Sequence, residues 1–347
     1  MSSSVSLADI DVAAQPQLSH FHPPPRFGNT RFSSYKPQHP SQYEALQHCQ
    51  RFIDSPLATN DSFRWFWQEA LPAKGEGLYL DGGFGVGKTH LLAAAFHASA
   101  IKHKAYLSFQ ELVYTIGALG KEKAKEAFAP YQLLCIDEFE LDDPGNTLIV
   151  KSFLADAFAR GSKVITTSNT PPAAQGEGRF NARDFQREIQ SIAERFSVLS
   201  LEGPDYRHRD HMATLLDPTK LEQQRRQASS SQENQEAQKV VYSGWNGLLQ
   251  RLQSLHPSRY GNLLQHIGQL YVQGVTTIDN QNDALRFVHF IDKLYDMQVA
   301  FQAAGDVALE DIFDASYRQG AYAKKHYRCL SRLSELLEET NTPIPHK

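Results

Sequence analysis

The sequence predicts an α/β fold in which a parallel sheet is covered by helices on both faces, followed by a mostly helical C-terminal region. Three observations predict it. Short apolar segments alternate with helical ones from Leu78 to Leu201, the order that builds βαβ units. A glycine-rich loop, GGFGVGKT from Gly82, lies between one such strand and a helix. A second apolar strand, LLCID from Leu133, runs into two adjacent carboxylates, Asp137 and Glu138.

Residues 1–40 are rich in Ser, Pro, Gln and His. They carry too little apolar surface to fold alone and are expected as a disordered tail that docks at Phe27, Phe32 and Tyr35. A helix is expected over Tyr43–Ile53, and the aromatic group Phe63, Trp65, Phe66 and Trp67 reads as packing. Strands follow at Leu78–Leu80, Ala105–Phe109, Leu133–Ile136 and Val164–Thr167, with helices over HLLAAAFHASAI from His90, near Glu111–Ala118 and from Leu148. A last strand, Val198–Leu201, follows a helix ending near Phe196, so the expected core spans residues 41–217. The stretch Glu222–Lys239 is polar and Gln/Ser-rich, which makes 218–239 an expected linker or loop. Helical spacing returns in Ala284–Tyr295 and Ala321–Leu337, with a strand near Gln298–Phe301, inside a C-terminal region over 240–340.

Composition sets limits on function. The hydrophobic content of 41% is that of a globular protein, and a net charge of −4 offers no global attraction for nucleic acid or an anionic membrane. The three cysteines, Cys49, Cys135 and Cys329, are far apart in sequence and read as isolated buried thiols. No run approaches the ~18 apolar residues of a membrane span, and MSSSVSLADIDVAAQPQ lacks the order of a secretory signal. The expectation is a cytoplasmic protein without a transmembrane segment.

The glycine-rich loop carries the most chemistry. Gly82, four residues, then Gly87, Lys88 and Thr89 match the phosphate-binding P-loop pattern. In that pattern the backbone of Gly82, Gly83, Phe84, Gly85, Val86 and Gly87 cradles phosphates, Lys88 neutralises the β/γ oxygens and Thr89 holds Mg²⁺. The helix that follows adds the positive end of its dipole. Asp137, at the end of an apolar strand, is expected in the Mg²⁺ shell, and Glu138 is expected to orient or deprotonate an attacking water. A third strand ends in Ser168 and Asn169, which brings a short amide beside those carboxylates, although an Asx residue before Pro171 also begins turns. Arg195 closes a helix just before a strand, where ring ATPases keep an arginine for a neighbour's γ-phosphate; a surface arginine paired with Glu194 or Glu188 is the alternative. Arg183, Arg187, Arg207 and Arg209 compete for that role. His208, Asp210 and His211 have the residue types of a metal cluster but read as a solvated turn. Asp81, directly before the loop, is expected to point away from phosphate or stay hydrated.

Taken together, these segments resemble the ZapE-like family of AAA+ ATPases, which includes bacterial cell-division proteins and related mitochondrial ATPases. The resemblance rests on RFGNTRFSSYKPQHPSQ from Arg26, GLYLDGGFGVGKTHLL, LLCIDEFELDD and ITTSNTPP. It continues through FNARDFQREIQSIAERF, LEGPDYRHR, ALRFVHFIDKLYDMQV and RCLSRLSELL. It implies an AAA+-type P-loop NTPase fold, ATP and Mg²⁺ as cofactors, homo-oligomers, and Arg195 as the finger offered to a neighbouring subunit. It also implies remodelling of the FtsZ polymer at the division ring. Arg286 matches the second of two arginines usual in the family, whereas Leu285 stands where the first would be. Aspartate at Asp81 and the Gln/Ser-rich insertion also depart from the pattern. Two other readings stay open: a helicase-loader or initiator-like ATPase acting on nucleic acid, since GGFGVGKTHLL also resembles that group, and a nucleotide-dependent scaffold with little turnover.

Overall fold

The computed structural model describes residues 5–12, 21–57, 75–141, 144–175, 186–204, 213–231, 239–318 and 322–341. The aromatic group from Phe63 to Trp67 lies outside them. The chain divides into two compact units, one made of Gln15–Pro23 and Phe27–Tyr206, the other of Met1–Ala14, Pro24–Arg26 and Arg207–Lys347.

The first strand, β1 (Val5–Ser6), belongs to the second unit; the first unit begins with helix α1 (Pro40–Asp54). Pro40 at its first turn has no N–H to lose, and the His39 ring accepts from Ser41 N–H. Then β2 (Gly77–Gly82), α2 (Lys88–Ala98), β3 (Lys104–Ser108), α3 (Phe109–Leu119), α4 (Lys121–Phe128), β4 (Leu133–Asp137), α5 (Pro144–Ala159), β5 (Lys163–Ser168), α6 (Gln186–Ala193) and β6 (Phe196–Leu201) alternate as expected. The α3 start is a capping box: Ser108 Oγ accepts from Glu111 N–H, and the Glu111 carboxylate accepts from Ser108 N–H at 2.8 Å.

The five strands are all parallel, in the order β3-β4-β5-β2-β6. Apolar residues occupy both faces of each strand because helices cover both. Leu78, Leu80, Cys135 and Ile165 pack on one side, and Tyr79, Leu134, Ile136 and Val164 on the other with Phe109, Phe128, Phe139 and Phe196. Two lysines, the half-buried Lys104 and the buried Lys163, close helix C-termini, where carbonyls lack partners. Lys104 Nζ donates to Phe96 O and Ser99 O at 2.7 and 2.8 Å after α2, and Lys163 Nζ donates to Phe52 O at 2.6 Å and to Ser55 after α1.

The segment expected as a tail is ordered where it is described. It cannot build a core alone, but it borrows one: Phe27, Phe32 and Tyr35 pack against the cluster that holds Leu91, Leu92 and Ile165. In the second unit, helix α7 (Pro218–Ser231) replaces the first part of the expected linker. Asp217 closes its first turn by accepting from Thr219 N–H at 2.8 Å. Glu222 pairs with Arg225 and Arg226 at 2.7 Å each, and Leu221 is buried, so local contacts override the polar composition. Residues 232–238 lie outside the described set.

The second unit continues with β7 (Lys239–Gly244), α8 (Trp245–Ser254), α9 (Tyr260–Leu264), β8 (Ile267–Val275), α10 (Gln281–Met297), β9 (Ala300–Gly305) and α11 (Ala323–Asn341). The expected helices are present, and beside them stands a four-stranded parallel sheet ordered β1-β7-β8-β9, of which one strand was anticipated. Between α10 and α11 a buried ion set joins Asp292 to Arg328, at 2.6 Å, and to Arg332. Burial opposes the Asp292 charge, but the two guanidiniums outweigh it and hold the carboxyl below the usual carboxylate range. The three cysteines are buried free thiols, and burial pushes Cys49 up to about 12.

Candidate active site

The strand order decides what meets at the C-terminal edge of the first sheet, where open α/β sheets bind ligands. Strand β5 separates β2 from β4. The loop after β2, the carboxylates after β4 and the amide after β5 therefore converge, with Asn169 in the middle.

Two glycines shape the loop. Gly87 takes φ +91° as the cap of α2, and a Cβ there would lie 2.5 Å from the Tyr35 ring. A Cβ on Gly82, at φ +147°, would lie 2.2 Å from the Leu201 carbonyl oxygen. Tyr35 donates its hydroxyl to Val86 O at 3.0 Å, so the N-terminal segment braces the loop from outside. His90, on the first turn of α2, extends that brace by donating from Nε2 to Arg31 O at 3.1 Å.

Lys88 is nearly buried, and its ammonium donates to Gly82 O at 2.8 Å, Gly83 O at 2.6 Å and Asn169 Oδ1 at 2.9 Å. Thr89 Oγ1 donates to Asp137 Oδ1 at 3.3 Å. The same carboxylate accepts from Tyr106 OH at 3.1 Å and from Thr167 Oγ1. Thr167 in turn accepts from Glu138 N–H at 3.0 Å, and its carbonyl accepts from Phe139 N–H at 2.7 Å. Glu138 is held at φ +53°, a left-handed conformation that costs a non-glycine residue about 1 kcal/mol or more. The Thr167 contacts fix that turn.

A buried glutamine ties the two carboxyl and amide loops together. Gln175 Oε1 accepts from Leu141 N–H at 2.8 Å, after β4, while its Nε2 donates to Ser168 Oγ at 3.0 Å and Tyr79 OH at 2.8 Å. Tyr79 OH itself donates to Thr170 O at 2.8 Å.

Asp81 is buried under the loop. Ser200 Oγ lies 3.4 Å from its Oδ2, while Oδ1 has no hydrogen-bond partner among the described residues. Burial raises its carboxyl above the usual range, against the opposing pull of Gly82 N–H, Ser200 and the Lys88 charge. Of the two expectations for Asp81, pointing away from phosphate or staying hydrated, the second does not hold, since the carboxyl is buried beside Ser200.

Other expected residues lie elsewhere. Arg195 is exposed and immediately precedes β6, whose register sets Phe196 beside Gly77 and Leu201 beside Gly82. At ~3.3 Å per strand residue it lies roughly 20 Å along the sheet from the loop of its own chain. Arg286 is used structurally, donating to Leu252 O, Gln253 O and Leu255 O at 3.2 to 3.4 Å, where α8 ends. Arg187 is exposed on α6. Arg183, Arg207, Arg209, His208, Asp210 and His211 lie outside the described residues. Among the described residues no group of three or more His, Cys, Asp and Glu could hold a metal ion.

Sequence reasoning missed Tyr106, Thr167 and Gln175, and gave Tyr35 only as a docking residue without its bond to the loop. Thr167 and Tyr106 carry a faint signal, since each lies within two residues of a C-terminal strand end. Tyr35 and Gln175 come from segments whose position only the folded chain defines.

A parallel sheet with β5 inserted between the P-loop strand and the carboxylate strand, and with Lys88, Thr89 and Asp137 converging, defines an AAA+-type P-loop ATPase fold. Residues 33–342 match the family model of the AFG1-like ATPase, and the chain belongs to that family. It is 25% identical over 298 residues to cell division protein ZapE of Escherichia coli K12, covering 76% of this chain and 78% of that protein. The same values hold for the O157:H7 protein of that name. Among solved structures it is similar to the DnaC helicase loader, with a TM-score of 0.36 and 21% identity over 51% of this chain and 99% of that one. It is also similar to DnaI, with a TM-score of 0.40 and 18% identity over 52% of this chain and 94% of that one. No helix among the described residues is long and apolar enough to cross a membrane.

Proposed function

We propose that this chain is a cytoplasmic, Mg²⁺-dependent ATPase that works as a homo-oligomer and couples hydrolysis to remodelling a protein partner, the FtsZ polymer of the division ring. The observation that carries the chemistry is the convergence of two hydrogen-bonded pairs, Lys88 with Asn169 and Thr89 with Asp137, from the adjacent residues Lys88 and Thr89. The partner rests on the likeness to cell division protein ZapE.

The residues suit the ligands. Lys88 is already satisfied by three oxygen acceptors, the chemistry that phosphate oxygens present, and the loop from Gly82 to Gly87 opens onto the N-terminus of α2. Thr89 and Asp137 offer a hydroxyl and a carboxylate, the hard oxygen donors that Mg²⁺ takes. Bound there, Mg²⁺ supplies positive charge that offsets the phosphate oxygens. Glu138 accepts the proton of the water attacking the γ-phosphorus as the bond to the bridging oxygen breaks, giving ADP and phosphate. Asn169 positions that water or a γ-phosphate oxygen. Arg195 acts on a neighbouring subunit's nucleotide, which agrees with its distance from the chain's own loop.

The test is affinity capture from native cytosol with Glu138→Gln, a variant that binds ATP without turning it over, with and without ATP. Enrichment of FtsZ only with ATP supports the division-ring reading. Enrichment of a replicative helicase or nucleic acid instead replaces it with the loader reading.

A further inference from the structure

Residues 5–12 enter the second unit as a docked peptide. Val5 and Ser6 pair in parallel with Val241 and Tyr242, the outer side of β7. Leu7 is fully buried in the core that holds Val241, Trp245 and Leu248, and Ile10 and Val12 pack against it partly buried. Beyond the two paired residues the backbone is held by side chains: the Arg251 guanidinium donates to Ile10 O, and Arg259 donates to Val12 O at 2.8 Å. Asp9 and Asp11 are exposed on the same stretch, so an acidic-apolar segment lies across two arginines. Contacts to main-chain carbonyls, an edge strand and a few apolar side chains at fixed spacing make up strand-addition recognition of peptides. The match to the family model spans residues 33–342 and does not include this segment, and without it β7 is an open sheet edge.

We infer that the outer edge of β7, with Arg251 and Arg259, is an acceptor site for an extended acidic-apolar segment of a protein partner. The chain's own residues 5–12 fill it as a tethered competitor. The ligand has the spacing of Val5, Leu7, Ile10 and Val12 with acids between, read in parallel to β7. A tethered segment competes at an effective concentration near the millimolar range, so a free peptide binds only after the tether is weakened.

The experiment uses full-length protein and a fluorescein-labelled peptide, SSSVSLADIDVAA, followed by anisotropy. Leu7→Asp, and Ile10→Asp as a milder release should the first not fold, are each expected to bind the peptide at least about tenfold more tightly than wild type. Adding Arg251→Ala and Arg259→Ala to the released chain is expected to reverse that gain. A peptide carrying aspartate in place of its leucine is expected not to bind. A folded released variant, with a wild-type circular dichroism spectrum, that binds no peptide overturns the proposal. So does concentration-dependent dimerisation of wild type that Leu7→Asp abolishes, because the site would then serve a second copy of this chain.

Discussion

Lys88 Nζ lies 2.9 Å from Asn169 Oδ1, which ties the loop after β2 directly to the amide after β5. The two residues are far apart in sequence, and they meet because β2 and β5 are neighbouring strands whose register pairs Asp81 with Ser168.

That contact separates two mutants. Lys88→Ala removes the ammonium proposed to face phosphate and is expected to abolish detectable nucleotide binding in isothermal titration. Asn169→Ala leaves the cradle intact, so binding is expected to change little while kcat falls about 10²-fold, the cost of losing one positioned polar group in a transition state. Equal losses of binding in both variants would contradict separate roles.

Gln175 spans the loops that carry Glu138 and Asn169 without reaching the phosphate loop. Gln175→Leu leaves Leu141 N–H without its acceptor, and buried groups left this way cost about 1–3 kcal/mol each. Denaturant unfolding is expected to show that loss, and Mg-ATP turnover is expected to fall in kcat with nucleotide affinity preserved. A change confined to stability would make the glutamine purely structural.

Asp81 sets a pH dependence. Its carboxyl is raised in the folded chain, so the folded state binds the proton more tightly than the unfolded state. Its contribution is therefore full below the ordinary carboxylate value, ~4, and is lost as pH rises through the raised one. Asp81→Asn is expected to raise the thermal midpoint at pH 8, with the gain shrinking towards pH 4. A gain independent of pH would assign the effect to packing.

Arg195 predicts a mixing result. If it completes a neighbour's site, Arg195→Ala subunits added to wild type are expected to depress turnover below the sum of the parts. The pure variant is expected to lose about 10³-fold in kcat. Additive activity would leave the arginine as a surface residue.

Much of the first unit was legible because its signals are local. GGFGVGKT demands a turn with positive φ before a helix, and LLCID, short, apolar and ending in carboxylates, reads as a buried strand, so loop, strand and carboxylates could be named from composition and spacing. Elements that depend on partners were not. Residues 218–231 look like a linker until Leu221 finds a core and Glu222 finds two arginines. Arg286 matches one of two arginines usual in the family, and only the folded chain shows its guanidinium closing α8. Val5–Ser6 carries no strand signal, because two residues form a strand only where an existing edge accepts them.

The sequence by itself determined the glycine-rich loop between strand and helix, the pair Asp137 and Glu138, and the alternation that makes a parallel sheet, since each follows from contacts within a few residues of chain. Only the tertiary structure decided that Asn169 would stand between loop and carboxylate, that Thr167 would hold Glu138 in a left-handed turn, that Gln175 would join the two loops, that Asp81 would be buried, and that Arg195 would lie at the far end of the sheet from its own loop. Those outcomes depend on strand order and register, which are set by how whole helices and strands exclude water together and are written in no single segment.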